Sequence, residues 1–66
     1  MRITVNGEPH EVDPGTTLAA LLARLEAPAH GVAVERNRAI VRRRDWNATP
    51  LEPGDRIELV TLVGGG

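Results

Sequence analysis

Four leucines constrain the fold of this chain more than any other feature of its sequence. Leu18, Leu21, Leu22 and Leu25 are spaced at i, i+3, i+4 and i+7, which places them on one side of an α-helix. Burying them contributes roughly 6–12 kcal/mol, which about offsets the backbone entropy lost when the helix is ordered. This helix is therefore stable only when its leucine side packs against a sheet.

The residues before the leucines predict a β-hairpin. Residues 2–5 alternate apolar and polar side chains as a strand does, and Asn6-Gly7 provides the two positive φ angles of a type I′ turn. We expect the return strand over residues 8–12, and its Pro9 suits a sheet edge because proline cannot donate a backbone hydrogen bond. One of the two threonines at positions 16 and 17 is expected to cap the helix.

The residues that directly follow the leucines predict two further strands. Pro28 and Gly31 end the helix, and the weak alternation over residues 32–35 predicts a strand buried on both faces. Asn37-Arg38 is expected to form a turn before a short strand over residues 39–41.

An irregular segment then leads into the last strand. Residues 42–49 predict a loop or a short helical turn, with Trp46 as a lid on the core. Pro53-Gly54-Asp55 predicts a turn, and a strand begins at Arg56.

The last strand carries apolar side chains on both faces. Alternation places Ile57, Leu59, Thr61 and Val63 on one face, and Glu58, Val60 and Leu62 on the other. One face is needed for the core, whereas outward apolar side chains contribute nothing to a small monomer. We therefore expect Val60 and Leu62 to form a partner-binding surface.

The order strand, strand, helix, strand, short strand, strand predicts an α+β fold. We expect one helix to pack across one face of a mixed sheet, in a single domain over residues 1–66. A chain of this length can build only one small core.

Three glycines, Gly64, Gly65 and Gly66, close the sequence and are expected to form a flexible C-terminal tail. Glycines bury no side chain, so this run cannot serve the core. Extended, residues 62–66 reach about 17 Å at roughly 3.4 Å per residue, enough to enter another protein's active site. The run therefore predicts a thin backbone that presents a carboxylate to a partner's chemistry.

Composition and spacing exclude several other functions. The chain has no cysteine, its longest apolar run is too short to span a membrane, and its net charge is −1, which predicts a cytoplasmic protein with no nucleic-acid or membrane partner. His10 and His30 lack further ligands at metal spacing, and the carboxylates form no acid/base pair. A basic run such as Arg42-Arg43-Arg44 is more often a solvated loop than a docking site.

These features together resemble the ThiS family of ubiquitin-like β-grasp sulfur carriers. The resemblance covers nearly the whole chain, and the terminal glycine pair is specific for ubiquitin-like carriers as a class. Arg38 and Arg42 depart from the glycine and proline that the family often has there. The matching segments are Asn6-Gly7, the leucine helix, residues 31–37, Ile40-Val41, Trp46, residues 53–58 and residues 63–66.

The resemblance implies a carrier whose chemistry is done by partners. An E1-like adenylating enzyme of the ThiF type would use ATP and magnesium to activate Gly66, and a persulfide would convert it to a thiocarboxylate. A thiazole synthase of the ThiG type would receive the sulfur. Val60, Leu62 and Val63 would contact partners, and the protein would bind no cofactor or metal and would not itself be an enzyme.

Two alternatives remain open from the sequence. The same chemistry could serve another pathway, such as molybdopterin, cysteine or tRNA thiolation. The chain could instead be a non-catalytic β-grasp interaction module, for which a free carboxylate on Gly66 has no use.

Overall fold

The computed structural model describes residues 1–28 and 30–61, which form a five-stranded sheet with one α-helix. The strand order is β2-β1-β5-β3-β4, in which β1 and β5 are parallel and the other neighbours are antiparallel. The predicted α+β arrangement with a mixed sheet is thus confirmed. The elements are β1 (Arg2–Val5), β2 (Glu8–Glu11), α1 (Leu18–Arg24), β3 (Val32–Arg36), β4 (Ala39–Ile40), a 3-10 helix (Arg43–Ala48) and β5 (Arg56–Thr61).

The opening hairpin forms as predicted. Asn6 and Gly7 have φ angles of 50° and 84°, the positive values that a type I′ turn requires. Strand β2 lies at the edge of the sheet, next to β1. Pro9 cannot donate a backbone hydrogen bond, and at an edge this loss interrupts no pairing with a second strand. It ends one residue before the predicted boundary, although the Val12 amide still donates to the Met1 carbonyl at 2.9 Å.

Helix α1 begins after one of the two predicted capping threonines and buries three of the four predicted leucines, Leu18, Leu21 and Leu22. The Thr17 hydroxyl accepts a hydrogen bond from the Ala20 amide at 3.1 Å. Leu25, which follows the last helical residue, is only half-buried. The core consists of Ile3, Val5, Val12, Leu18, Leu21, Leu22, Val34, Leu51 and Ile57.

The expectation that β3 is buried on both faces is wrong. Val34 is buried, but its neighbours Ala33 and Glu35 are only half-buried. The helix packs on one face of the sheet, so side chains that alternate with Val34 face away from the core. The turn after β3 is confirmed, with φ angles of 53° at Asn37 and 72° at Arg38.

The irregular segment contains a 3-10 helix, one of the two predicted possibilities. Trp46 lies in it, packs against the core, and donates its indole N–H to the Val41 carbonyl at 2.9 Å. Its ring is half-buried. This placement agrees with the predicted lid on the core.

Candidate functional site

Strand β5, which leads into the predicted tail, is held by a strand on each side. Its parallel partner β1 aligns Thr4 with Arg56 and Val5 with Ile57. Its antiparallel partner β3 pairs along its whole length, from Arg36 opposite Ile57 to Val32 opposite Thr61. The start of β5 is therefore paired on both sides, and its end is paired with β3 as far as Thr61, so the sheet supports the strand up to its last described residue.

Asn6 connects the first turn to this strand. Its backbone amide donates to the Ile57 carbonyl at 2.8 Å, and its side-chain oxygen accepts from the Leu59 amide at 2.8 Å. One residue thus satisfies two backbone groups of β5 in addition to supplying a turn φ angle. The tight turn at Asn6 therefore also fixes the strand that precedes the tail.

Asp55 fixes the beginning of β5. The residue is buried, at 4% exposure, and its carboxylate accepts from the Arg36 Nε at 2.9 Å, the Asn37 side-chain amide at 2.9 Å and the Glu52 amide at 2.8 Å. Asn37 in turn accepts from the Arg56 amide at 2.9 Å. The sequence predicts only a turn here, because Arg36 and Asn37, which supply the side-chain donors, are distant from Asp55 along the chain.

Opposing effects act on the pKa of Asp55. Burial by itself raises it, because a carboxylate loses hydration in the protein. The hydrogen bonds from Glu52, Asn37 and Arg36, with the Arg36 charge, outweigh burial and hold the pKa below its usual value. Asp55 is therefore a charged structural anchor and not a proton donor at neutral pH.

The sheet face opposite the helix carries the two large apolar side chains that are exposed among the described residues. They are Val60, at 50% exposure, and Ile40, at 73%. Val60 on β5 lies opposite Ala33 on β3, and Ile40 on β4 lies opposite Glu35 on β3. We call these residues, with Glu58, the open face. The two-faced pattern predicted for β5 is confirmed as far as Val60, because Ile57 is buried and Glu58 is exposed.

Most of the predicted site lies outside the described residues. Leu62, Val63, Gly64, Gly65 and Gly66 follow the last described residue of β5. Their predicted parts in partner binding and in the tail stay predictions, as does partner binding by Val60. What the structure brings together is the support for this segment, namely β5 and the open face.

Other candidate regions lie away from β5. A groove of about 280 Å³ runs between α1 and the 3-10 helix, where Leu22, Trp46 and Arg43 contribute to its walls. Arg42, Arg43 and Arg44 are exposed, and the Arg43 guanidinium lies 2.9 Å from the His30 Nδ1. Within residues 1–28 and 30–61, no group of three or more His, Cys, Asp or Glu is placed to hold a metal.

None of the helices within residues 1–28 and 30–61 has both the length and the apolar character needed to cross a bilayer.

Sequence patterns missed two parts of this region. The sequence predicts a short strand that contains Ile40 but assigns Ile40 to no face, because so short a strand shows no periodicity. The pairing of Glu35 with Glu58 depends on the register between strands that are far apart along the chain. No local signal identifies either feature.

The chain is similar to known proteins that carry the name ThiS. The ThiS family model matches residues 3–66. The sulfur carrier protein ThiS of Escherichia coli is 32% identical over 66 residues, which is the full length of both chains. A crystal structure of the thiamine biosynthesis protein ThiS from Geobacter metallireducens superposes with a TM-score of 0.86 at 38% identity, with both chains fully covered. The predicted β-grasp fold is confirmed by this likeness.

Two relatives are much longer proteins. One from Magnetococcus marinus, named thiazole synthase, is 48% identical over 66 residues, and one of the same name from Paramagnetospirillum magneticum is 36% identical over 66 residues. The chain spans only 20% of the length of each of them. In these two proteins a segment similar to this chain therefore forms part of a longer polypeptide named for thiazole synthesis.

Proposed function

The chain belongs to the ThiS family, and from that membership we propose that it is a sulfur carrier in thiamine biosynthesis, with Gly66 as the residue that carries the sulfur. The observation that carries this proposal is the family match, which continues through the three glycines to residue 66. Two full-length relatives with names in sulfur transfer and thiamine biosynthesis support it.

The geometry of the described residues suits a carrier. Strand β5 is paired with β1 at its start and with β3 as far as Thr61, and Asp55 and Asn6 anchor it, so the sheet supports the chain up to Thr61. A rigid domain that holds a slender backbone segment can place the segment in a partner's active site while the domain stays outside. Glycines suit that segment, because a Cβ would widen the backbone inside a narrow channel.

The proposed chemistry starts from an unreactive carboxylate. A carboxylate is a poor acyl donor, so an oxygen of Gly66 first attacks the α-phosphorus of ATP and pyrophosphate leaves. The terminal sulfur of a persulfide then attacks the acyl carbon, and AMP leaves. A thiol cleaves the resulting sulfur–sulfur bond, which gives a disulfide and a thiocarboxylate on Gly66.

Three partners follow from this scheme. An adenylating enzyme of the ThiF type supplies the ATP and magnesium site, and a persulfide-bearing protein supplies sulfur. A thiazole synthase of the ThiG type consumes the thiocarboxylate, which agrees with the name of the two longer relatives. The carrier is the substrate of these enzymes, and its own contribution is the tail and a docking surface that includes Val60.

Intact-mass spectrometry tests the proposal. The purified chain is incubated with an adenylating enzyme, ATP, magnesium, a persulfide donor and a thiol. We expect the mass to rise by the difference between one sulfur and one oxygen, with the change in the C-terminal peptide. A reaction without ATP is the control. An unchanged mass in the complete mixture would favour the interaction-module alternative.

A further inference from the structure

Two glutamates lie directly opposite each other at the centre of the open face. Glu58 on β5 is the antiparallel partner of Glu35 on β3. Directly opposed residues have Cβ atoms about 4.5–5.5 Å apart, so the two carboxylates share one small area of the surface. Glu35 is half-buried and Glu58 is exposed, so water reaches both side chains.

This pair does not stabilise the fold. Like charges directly opposite each other on a sheet are destabilising. Among residues 1–28 and 30–61, the ion pairs join Glu11 to Met1 and Arg2, and Arg36 to Asp55, so neither Glu35 nor Glu58 has a cationic partner there. A cation from a partner that contacts both carboxylates would relieve the repulsion between them.

Apolar side chains border the carboxylates on two sides. Ile40 lies beside Glu35 on the neighbouring strand, and the paired residues Val60 and Ala33 form the next row toward the tail. Strands are spaced about 4.8 Å apart, so this area is only about 10 Å wide. It combines apolar contact with a local negative charge, and it is continuous with the strand that leads into the tail.

We propose that Glu35 and Glu58 together bind one arginine of a thiazole synthase, while Val60 and Ile40 pack against apolar side chains beside that arginine. A guanidinium has five N–H donors in a planar fork, and it can bond two carboxylates at once. The bond gains strength from the relief of the repulsion within the pair. This inference rests on the proposed function, because it names a docking contact of the carrier.

The thiazole synthase is the occupant that the relatives favour. In two of them a segment similar to this chain is joined to a longer polypeptide of that name. Two partners joined in one polypeptide meet at high effective concentration, which suits a docking surface that is small and partly electrostatic. An adenylating enzyme on the same face is the competing occupant, and the experiment separates the two.

The test compares two double variants with equal charge. Glu35→Gln/Glu58→Gln removes the carboxylate pair, and Glu26→Gln/Glu52→Gln removes the same two charges from exposed sites outside the sheet. Dissociation constants are measured for a separately expressed thiazole synthase and for an adenylating enzyme, each at low and high salt. Thermal unfolding is recorded for all proteins.

We expect the Glu35→Gln/Glu58→Gln variant to bind the thiazole synthase roughly tenfold more weakly, with a smaller salt dependence. The Glu26→Gln/Glu52→Gln control should bind like the parent. The first variant should also unfold at an equal or higher temperature, because it loses a repulsion. A stability loss would show instead that the glutamates serve the fold, which would overturn the inference.

Two further outcomes would overturn the inference. In one, the Glu35→Gln/Glu58→Gln variant binds the thiazole synthase as tightly as the parent does. In the other, it loses affinity only for the adenylating enzyme. Thiocarboxylate formation on the parent chain is measured separately by mass. If the parent chain accepts sulfur while either outcome occurs, the inference fails but the proposed function still holds.

Discussion

Asp55 is the residue on which the start of β5 depends most. It combines burial, at 4% exposure, with hydrogen bonds from three donors. Asp55→Asn should lower the free energy of unfolding by about 1–3 kcal/mol at neutral pH, because the new NH₂ group faces donors and the charge that pairs with Arg36 is lost. Urea denaturation measures this loss.

The loss of stability in Asp55→Asn should depend on pH. The pKa of Asp55 is lowered in the folded state, so its contribution to stability is present above the unfolded pKa of about 3.9 and is lost as pH falls through the folded value. The difference in unfolding free energy between parent and Asp55→Asn should therefore shrink on acidification. Asp13→Asn, at an exposed turn residue, is the charge-matched control and should show little difference at any pH. A pH-independent difference for Asp55→Asn would contradict the assignment.

Single residues were predictable where the determinant is local. Asn6-Gly7 and Asn37-Arg38 have positive φ angles, and each turn is encoded by adjacent residues. The network of Asp55 was not predictable, since Arg36 is 19 positions away in the sequence and the two side chains meet only after β3 and β5 pair. The site-forming anchors of this chain are thus mainly non-local.

At the scale of elements, the leucine spacing identified the helix and its buried side. Leu22→Ala should lower the free energy of unfolding by about 2–5 kcal/mol, because a side chain at 4% exposure is replaced by a cavity. A domain of this size has little stability to spare, so the variant should be partly unfolded at moderate temperature. Thermal and urea denaturation followed by circular dichroism measure the effect.

Val60→Ala is the matched control for that prediction. Val60 is 50% exposed on the open face, so its truncation should change stability by less than about 0.5 kcal/mol. Equal losses for Val60→Ala and Leu22→Ala would mean that the open face contributes to the core. The separation of the core from the open face would then be wrong.

Strand faces were harder to predict than the helix. The period of β5 assigned Ile57 to the core and Val60 to the surface correctly. The weak alternation in β3 led to an expectation of burial on both faces, yet only Val34 is buried. Whether a strand is covered on one face or two depends on how many layers pack on the sheet, and a local pattern does not contain that number.

At the scale of the whole molecule, the two faces of the sheet have different surroundings. The helix and the 3-10 helix cover one face, and the open face stays free beside the strand that leads into the tail. The terminal glycines were recognisable from sequence because they fit no structural purpose. The open face was only partly predictable, since Ile40, Glu35 and Glu58 come together through strand pairing.

The reach of the tail gives the last prediction. Deleting Gly66 removes no residue of β5 as described, Arg56–Thr61, but it shortens an extended tail by roughly 3.5 Å. The deletion also removes no residue of the described part of the domain, so the variant should bind the adenylating enzyme about as tightly as the parent does. Misplacement of reacting groups by about 1 Å can cost on the order of a hundredfold in rate, so thiocarboxylate formation should nearly stop.

The opposite change is the matched control for the length of the tail. Adding one glycine after Gly66 moves the carboxylate outward while keeping the same slender backbone, and it should slow the reaction similarly. Time courses of intact mass measure both rates, and binding measurements show whether docking is preserved. If either variant is thiocarboxylated as fast as the parent, the partner does not depend on the position of the terminus. A β-grasp interaction module would then explain the chain better than a carrier does.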